Sequence, residues 1–265
     1  MIKAAFFDVD GTLIPFGQQM ISDQLREDLL ALRRNGVKLF LATGRPKQDL
    51  ETTGMLRDLV FDAYVTQTGY YCYNEKEVYR CISICEEDLQ GACRVLRENP
   101  DITAIMDIDG ESYLNQINDH ALELFEMIHT PIHPVCEPER MLGSVVFQVV
   151  PLVRAGEEKI FLDAMPHCTA TRWHENAVDL VPAGDGKAEG IQATLDYYGL
   201  KKEEIIAFGD GENDLSMIEM AGIGVVMENG MEAVKAAADY ITDSAENHGV
   251  STALRYFGLL PPKKV

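Results

Sequence analysis

Positive charge is scarce in this sequence: 23 lysines and arginines face 43 aspartates and glutamates, a formal net charge of −20. A surface of that sign repels phosphate backbones and anionic lipid, which argues against nucleic acid and membranes as partners. An anionic substrate must therefore be met by a local cationic patch or a metal, while most of the acidic side chains serve solubility. Long apolar runs are missing too, and none reaches the roughly 18 residues that span a bilayer. The first strand starts almost at once, which leaves no room for an export signal. The six cysteines, at 72, 81, 85, 93, 136 and 168, contain no CxxC pair. With no export signal they read as reduced, partly buried, inert thiols of a cytoplasmic protein. Fixed-period repeats and low-complexity tracts are also absent. What is left is a globular chain, 46% hydrophobic over 265 residues, with length for one large domain or two modest ones.

The stretch that organises the chain is KAAFFDVDGTLI, residues 3–14. Ala4, Ala5, Phe6 and Phe7 show no polar alternation, as expected of a strand covered by helices on both sheet faces. Asp8 and Asp10 emerge at its carboxyl end, where open α/β sheets bind their ligands. Gly11 lets the backbone turn there, so both carboxylates can converge on one point. Carboxylates that close repel unless a cation lies between them or one holds a proton.

Ser22 caps a predicted helix that runs to about Asn35, with Leu25, Leu29 and Leu32 on one face. Strand VKLFLA (37–42) then stops at Thr43-Gly44-Arg45-Pro46, a helix starts near Lys47, and strand FDAYVT (61–66) leads into Gln67-Thr68-Gly69. Such alternation predicts a parallel sheet. From 82 to 182 the pattern changes. A helix through Leu89, Cys93 and Leu96 precedes an alternating strand (103–109) and an Asp109-Gly110 turn. A helix through Ala121, Phe125 and Ile128, a strand at 144–150, a helix near 156–164 and two short strands follow. Its own helices and strands, set between strands of the first unit, mark an inserted domain. The core of 1–81 and 183–265 then resumes with a helix from Lys187 to Tyr198 and strand EIIAF (204–208), which ends in GDGENDLSM.

If these strands lie side by side, one rim collects Asp8 and Asp10, the Thr43 hydroxyl with the amides of Gly44 and Arg45, Lys187 at a helix N-terminus, and Asp210, Asn213 and Asp214. Asp8, Asp10 and Asp210 are hard oxygen ligands suited to magnesium. Thr43, the amides, Lys187 and the helix N-terminus make an anion cradle. A carboxylate that attacks phosphorus gives an aspartyl-phosphate, and a second acid two residues on can protonate the leaving oxygen and then activate water.

DVDGT at 8–12, TGR at 43–45, Lys187 and GDGEND at 209–214 resemble the four signatures of the haloacid dehalogenase superfamily. The insertion and the GDGENDLSM form resemble its Cof-type branch of sugar-phosphate phosphatases. The resemblance implies a Rossmann-like, doubly wound parallel-sheet core with an inserted α/β cap, and a magnesium-dependent phosphatase of small phosphorylated metabolites. It implies that Asp8 is the nucleophile and Asp10 the acid/base, which also offers the metal its backbone carbonyl. Thr43, Gly44 and Lys187 hold the phosphoryl group with Asn213 nearby, and Asp210 and Asp214 complete the metal set. Arg45 either faces the substrate or makes a surface salt bridge. His174, with Glu175 and Asn176, either meets the leaving group or forms an exposed turn. The family pattern reads Asn-Gly where this chain has Thr68-Gly69, so the substrate side does not carry over. A phosphomutase of the same superfamily and a phospho-ligand binder without turnover are the alternatives. His129 and His133 are four apart, but Pro131 breaks any helix between them, which counts against a zinc pair.

Overall fold

The computed structural model describes residues 1–127, 132–184 and 186–262. The chain divides into two compact units, 1–81 with 185–265, and Ile82–Gly184. His129 lies outside the described residues, and the ring of His133 packs edge-on against Phe125.

The strands of the first unit are β1 (Ala4–Phe7), β2 (Lys38–Ala42), β3 (Ala63–Thr66), β4 (Tyr71–Tyr73), β5 (Val78–Cys81), β11 (Ile205–Gly209), β12 (Ile223–Val226) and β13 (Tyr240–Ile241). They form one sheet in the order β13-β12-β11-β1-β2-β3-β4-β5. β13 through β3 run parallel, while β4 and β5 fold back antiparallel at the edge. All four residues of β1 are fully buried because both sheet faces are covered. On one face Ala5, Phe7, Leu39 and Phe208 pack against α1 (Asp23–Arg34) and α9 (Gly249–Tyr256). On the other, Phe6, Phe40 and Ala207 pack against α6 (Gly186–Tyr198), α7 (Leu215–Met220) and α8 (Glu232–Lys235). A short α2 (Lys47–Thr52) follows β2. Ser22 caps α1 as expected, its hydroxyl accepting the Leu25 amide at 3.2 Å.

The second unit is a fully antiparallel sheet of β6 (Ala104–Ile108), β7 (Glu111–Leu114), β8 (Val146–Pro151), β9 (Cys168–His174) and β10 (Ala177–Pro182), in the order β7-β6-β8-β10-β9. One face packs on α3 (Glu86–Glu98) and α5 (Lys159–Leu162), the other on α4 (Asp119–Met127). The unit closes at Gly184, two residues past the boundary drawn from the sequence, because the Ala183 amide still bonds the His167 carbonyl at 2.8 Å. Reading by periodicity misses β4, β5 and β7, each a strand of three or four residues whose mixed polarity carries no clear period.

Candidate active site

Parallel register fixes the first contacts. Phe7 pairs with Phe208, and the Asp8 amide extends the ladder by bonding the Phe208 carbonyl at 3.0 Å. Asp8 and Asp210 therefore leave adjacent strands, about 4.8 Å apart, at the same end of the sheet. Gly11 makes the turn that follows, with φ +79°. A Cβ at Gly11 would also lie 2.2 Å from Asp210 Oδ2, so only glycine allows the β1 turn and the β11 carboxylate to meet.

Carboxylate oxygens of Asp8, Asp210 and Asp214 all lie within 4.8 Å of one another, and all three residues are buried. Lys187, 1% exposed, reaches this cluster from the first turn of α6. Its Nζ donates to Asp8 Oδ1 at 2.9 Å and to Asp214 Oδ1. The second oxygen of Asp214 accepts the amides of Asp210 (2.9 Å) and Gly211 (3.0 Å), which anchors it. Asp210 Oδ1 accepts the Thr12 hydroxyl at 2.8 Å.

Burial, then the Asp214 charge, raise the Asp8 carboxyl well above the ordinary carboxylate range against the pull of Lys187. Burial pushes Asp210 up to about 6, the Thr12 hydrogen bond opposing it. For Lys187, burial lowers the pKa, but the charges of Asp214 and Asp8 outweigh it and keep the ammonium above its ordinary value. These directions share one cause: desolvated negative charge that a single lysine does not balance. Hard oxygen donors in that condition fit a divalent cation such as magnesium.

Asp10 departs from the converging pair read from the sequence. Its carboxylate faces Arg45 and accepts Nε and Nη2 at 2.7 Å each. Arg45 thus makes the salt bridge, one of the two roles expected of it, as a half-exposed bidentate pair with Asp10, and its Nη1 also lies 3.8 Å from Asp49 Oδ2. Asp10 first, then the charges of Asp49 and Asp8, outweigh burial and keep the guanidinium's pKa above its usual value. Thr43 is buried beside them and accepts the Arg45 amide at 3.1 Å, so its hydroxyl proton can serve an anion. Asn213 is exposed on the turn Glu212–Asp214 and folds over Gly211. His174, in the second unit, ends β9, where its Nδ1 accepts the Asn176 amide at 3.2 Å.

Three features escape the motif reading. Thr12 is the residue that hydrogen-bonds Asp210. Asn229 ties the Gly11 carbonyl to the Ala245 amide, at 2.9 Å each, with no motif to mark it. Gln67 and Thr68 both have φ of 50° and are followed by Gly69 at 92°, three left-handed residues in a row. Amides 67 and 68 bond the carbonyls of Arg45 (3.2 Å) and Thr43 (3.0 Å), pinning this strained loop to the Thr43-Gly44-Arg45 segment. A Cβ on Gly69 would lie 1.9 Å from the Gly186 carbonyl, so the same loop seats the helix end that carries Lys187.

A family model described as haloacid dehalogenase-like hydrolase matches residues 5–254. The chain is 29% identical over 265 residues to 5-amino-6-(5-phospho-D-ribitylamino)uracil phosphatase YitU of Bacillus subtilis, covering 95% of this chain and 96% of the relative. Among solved structures it is similar to BT1666 from Bacteroides thetaiotaomicron, a phosphatase of the haloalkanoate superfamily. That likeness has TM-score 0.88 and 31% identity, covering 98% of this chain and 96% of the other. It is also similar to the subclass IIB sugar phosphatase BT4131, with TM-score 0.81 and 34% identity over 97% and 100% of the two chains.

Proposed function

The chain belongs to the haloacid dehalogenase-like hydrolases, in the Cof-type branch of phosphatases, and from that premise we propose a magnesium-dependent hydrolase of small phosphorylated sugars or polyols. The observation that carries the reading is the buried group of Asp8, Asp210 and Asp214 with Lys187 inserted among them, at the carboxyl ends of adjacent parallel strands. The substrate class is supported by the likeness to a sugar phosphatase and to a ribityl-phosphate phosphatase. On the same reading the unit of 1–81 with 185–265 is the catalytic core, 82–184 is a cap, and the setting is cytoplasmic.

Asp8 attacks phosphorus, and the bond to the leaving oxygen breaks as Asp10 gives that oxygen its proton. Asp10 then takes a proton from water, which attacks the aspartyl-phosphate and releases inorganic phosphate with Asp8 restored. Lys187 and the Thr43 hydroxyl bind phosphoryl oxygens at the N-terminus of α6. Arg45 holds the Asp10 carboxylate through two hydrogen bonds before substrate enters, and Asp10 gives up one of them when it carries the proton. Asp8, Asp210 and Asp214, with the Asp10 carbonyl, would hold magnesium; when bound, it removes the repulsion between the Asp8 carboxylate and an anionic phosphoryl group.

The test is a screen of phosphorylated sugars, polyols, nucleotides and a generic aryl phosphate, with and without magnesium. Free phosphate is measured alongside isomer formation. We expect magnesium-dependent phosphate release, with Asp8→Asn lowering turnover by at least about three orders of magnitude because an amide cannot form the intermediate. Isomer formation without phosphate release would replace this reading with a mutase, and a fully active Asp8→Asn would end it.

A further inference from the structure

The second unit carries a cluster of unlike donors that the hydrolytic reading leaves unused: Cys85, Asp88 and His167. Cys85 is the residue before α3 and is exposed, and its side chain makes no capping hydrogen bond. Asp88, in the first turn of that helix, is fully buried. His167 is exposed and immediately precedes β9. The backbone brings them together at Gly91, where a Cβ would lie 1.9 Å from the Ala164 carbonyl oxygen. Any larger residue there would push the segment leading to His167 off α3.

The donors are held in place. The His167 amide donates to Asp88 Oδ2 at 3.0 Å, and its carbonyl accepts the Ala183 amide at 2.8 Å. That leaves Asp88 Oδ1 3.1 Å from His167 Nδ1, and Cys85 Sγ 3.6 Å from the same nitrogen. All three ligand atoms lie within 4.8 Å of one another. A tetrahedral zinc bound at about 2.3 Å to sulfur and about 2.0–2.1 Å to nitrogen and oxygen spaces those atoms roughly 3.3–3.6 Å apart. The 3.6 Å and 3.1 Å separations from Nδ1 fall close to those edges.

Two simpler readings account for less. A Cys-His-Asp catalytic relay sets the thiol and the carboxylate on opposite ring nitrogens, whereas both partners here face Nδ1. A set of ordinary hydrogen bonds has one proton on Nδ1 to satisfy both an acceptor carboxylate and a sulfur, and only one can receive it. A divalent cation satisfies all three at once. Thiolate, carboxylate and neutral imidazole together balance its charge, and a sulfur–nitrogen donor set selects zinc over magnesium.

We propose that Cys85, Asp88 and His167 form a zinc site that ties the first turn of α3 to the start of β9. The test uses the full chain, stripped with a chelator and titrated with cobalt as a spectroscopic stand-in. One equivalent should produce a thiolate-to-cobalt charge-transfer band together with tetrahedral ligand-field bands. Zinc should displace both, and excess magnesium should displace neither. The aspartate cluster of the first unit offers oxygen donors alone and gives no thiolate band. Cys85→Ser should abolish the band, and His167→Gln should weaken zinc binding at least about tenfold. Both positions are exposed, so circular dichroism should be unchanged. Absence of the band in the wild type, its survival in Cys85→Ser, or its loss only in Cys168→Ser would overturn the proposal.

Discussion

Lys187 sits between the Asp8 and Asp214 carboxylates with almost no exposure, so it is a structural counter-charge as well as a candidate phosphate ligand. Lys187→Met keeps the bulk and deletes the charge, leaving two buried carboxylates face to face. We expect a loss of about 3–5 kcal/mol in urea unfolding, partly recovered by added magnesium, and no measurable turnover. Thr68 has a different stake. It is a β-branched residue held at φ 50°, where asparagine rests more easily. Thr68→Asn should therefore raise stability by about 1 kcal/mol while shifting KM more than kcat, since the loop lies against the Thr43–Arg45 segment. Equal changes in both constants would argue that the loop acts on chemistry. The motif residues were legible because each strand end repeats one demand, acidic or hydroxyl groups followed by a residue that permits a turn. The partner of Asp10 was not, because a bidentate pair between residues 35 apart leaves no local pattern.

At the scale of elements, α1 and α9 are clasped by Arg255 and Asp28, whose Nη2 and Oδ1 are 2.6 Å apart. Burial alone would push Asp28 up, but its hydrogen bonds, that from Arg255 among them, outweigh it and hold the carboxyl below its usual value. A carboxyl lowered by folding contributes stability above its unfolded pKa near 4, and that contribution is lost as pH falls through the folded value. Arg255→Ala should thus cost about 1–3 kcal/mol at neutral pH. Its deficit against the wild type should shrink below about pH 4, as read from chemical unfolding across pH. A deficit that stays constant with pH would mean that packing of the arginine stem sets the cost. α1 itself was readable in full from its serine cap and leucine spacing. The edge hairpin β4–β5 was not, since two short strands become a sheet edge only once β3 offers them a partner.

Over the whole molecule, the net charge of −20 opposes the approach of any phosphorylated substrate. Salt shortens the range of that repulsion from about 30 Å at 0.01 M to about 8 Å at 0.15 M. With magnesium saturating, kcat/KM for a dianionic ester should rise about two- to tenfold across that range. A fall instead would show that Lys187 and Arg45 dominate the encounter. The apolar clusters behind the first sheet draw on residues of 1–81 and 185–265, and those of the second sheet on 82–184. Each unit therefore has a core of its own.

The sequence by itself determined which acidic and hydroxyl residues end the strands and the alternation that builds a parallel sheet, because both are written in residues a few positions apart. It also carried the change of pattern at 82, since hydrophobic period is a local property. Only the tertiary structure decided which charges share a desolvated volume. Lys187 lies 179 residues from Asp8, and Thr12 lies 198 from Asp210. Electrostatic coupling depends on distance through space and on excluded water, and neither is defined until the sheet has closed and its faces are covered.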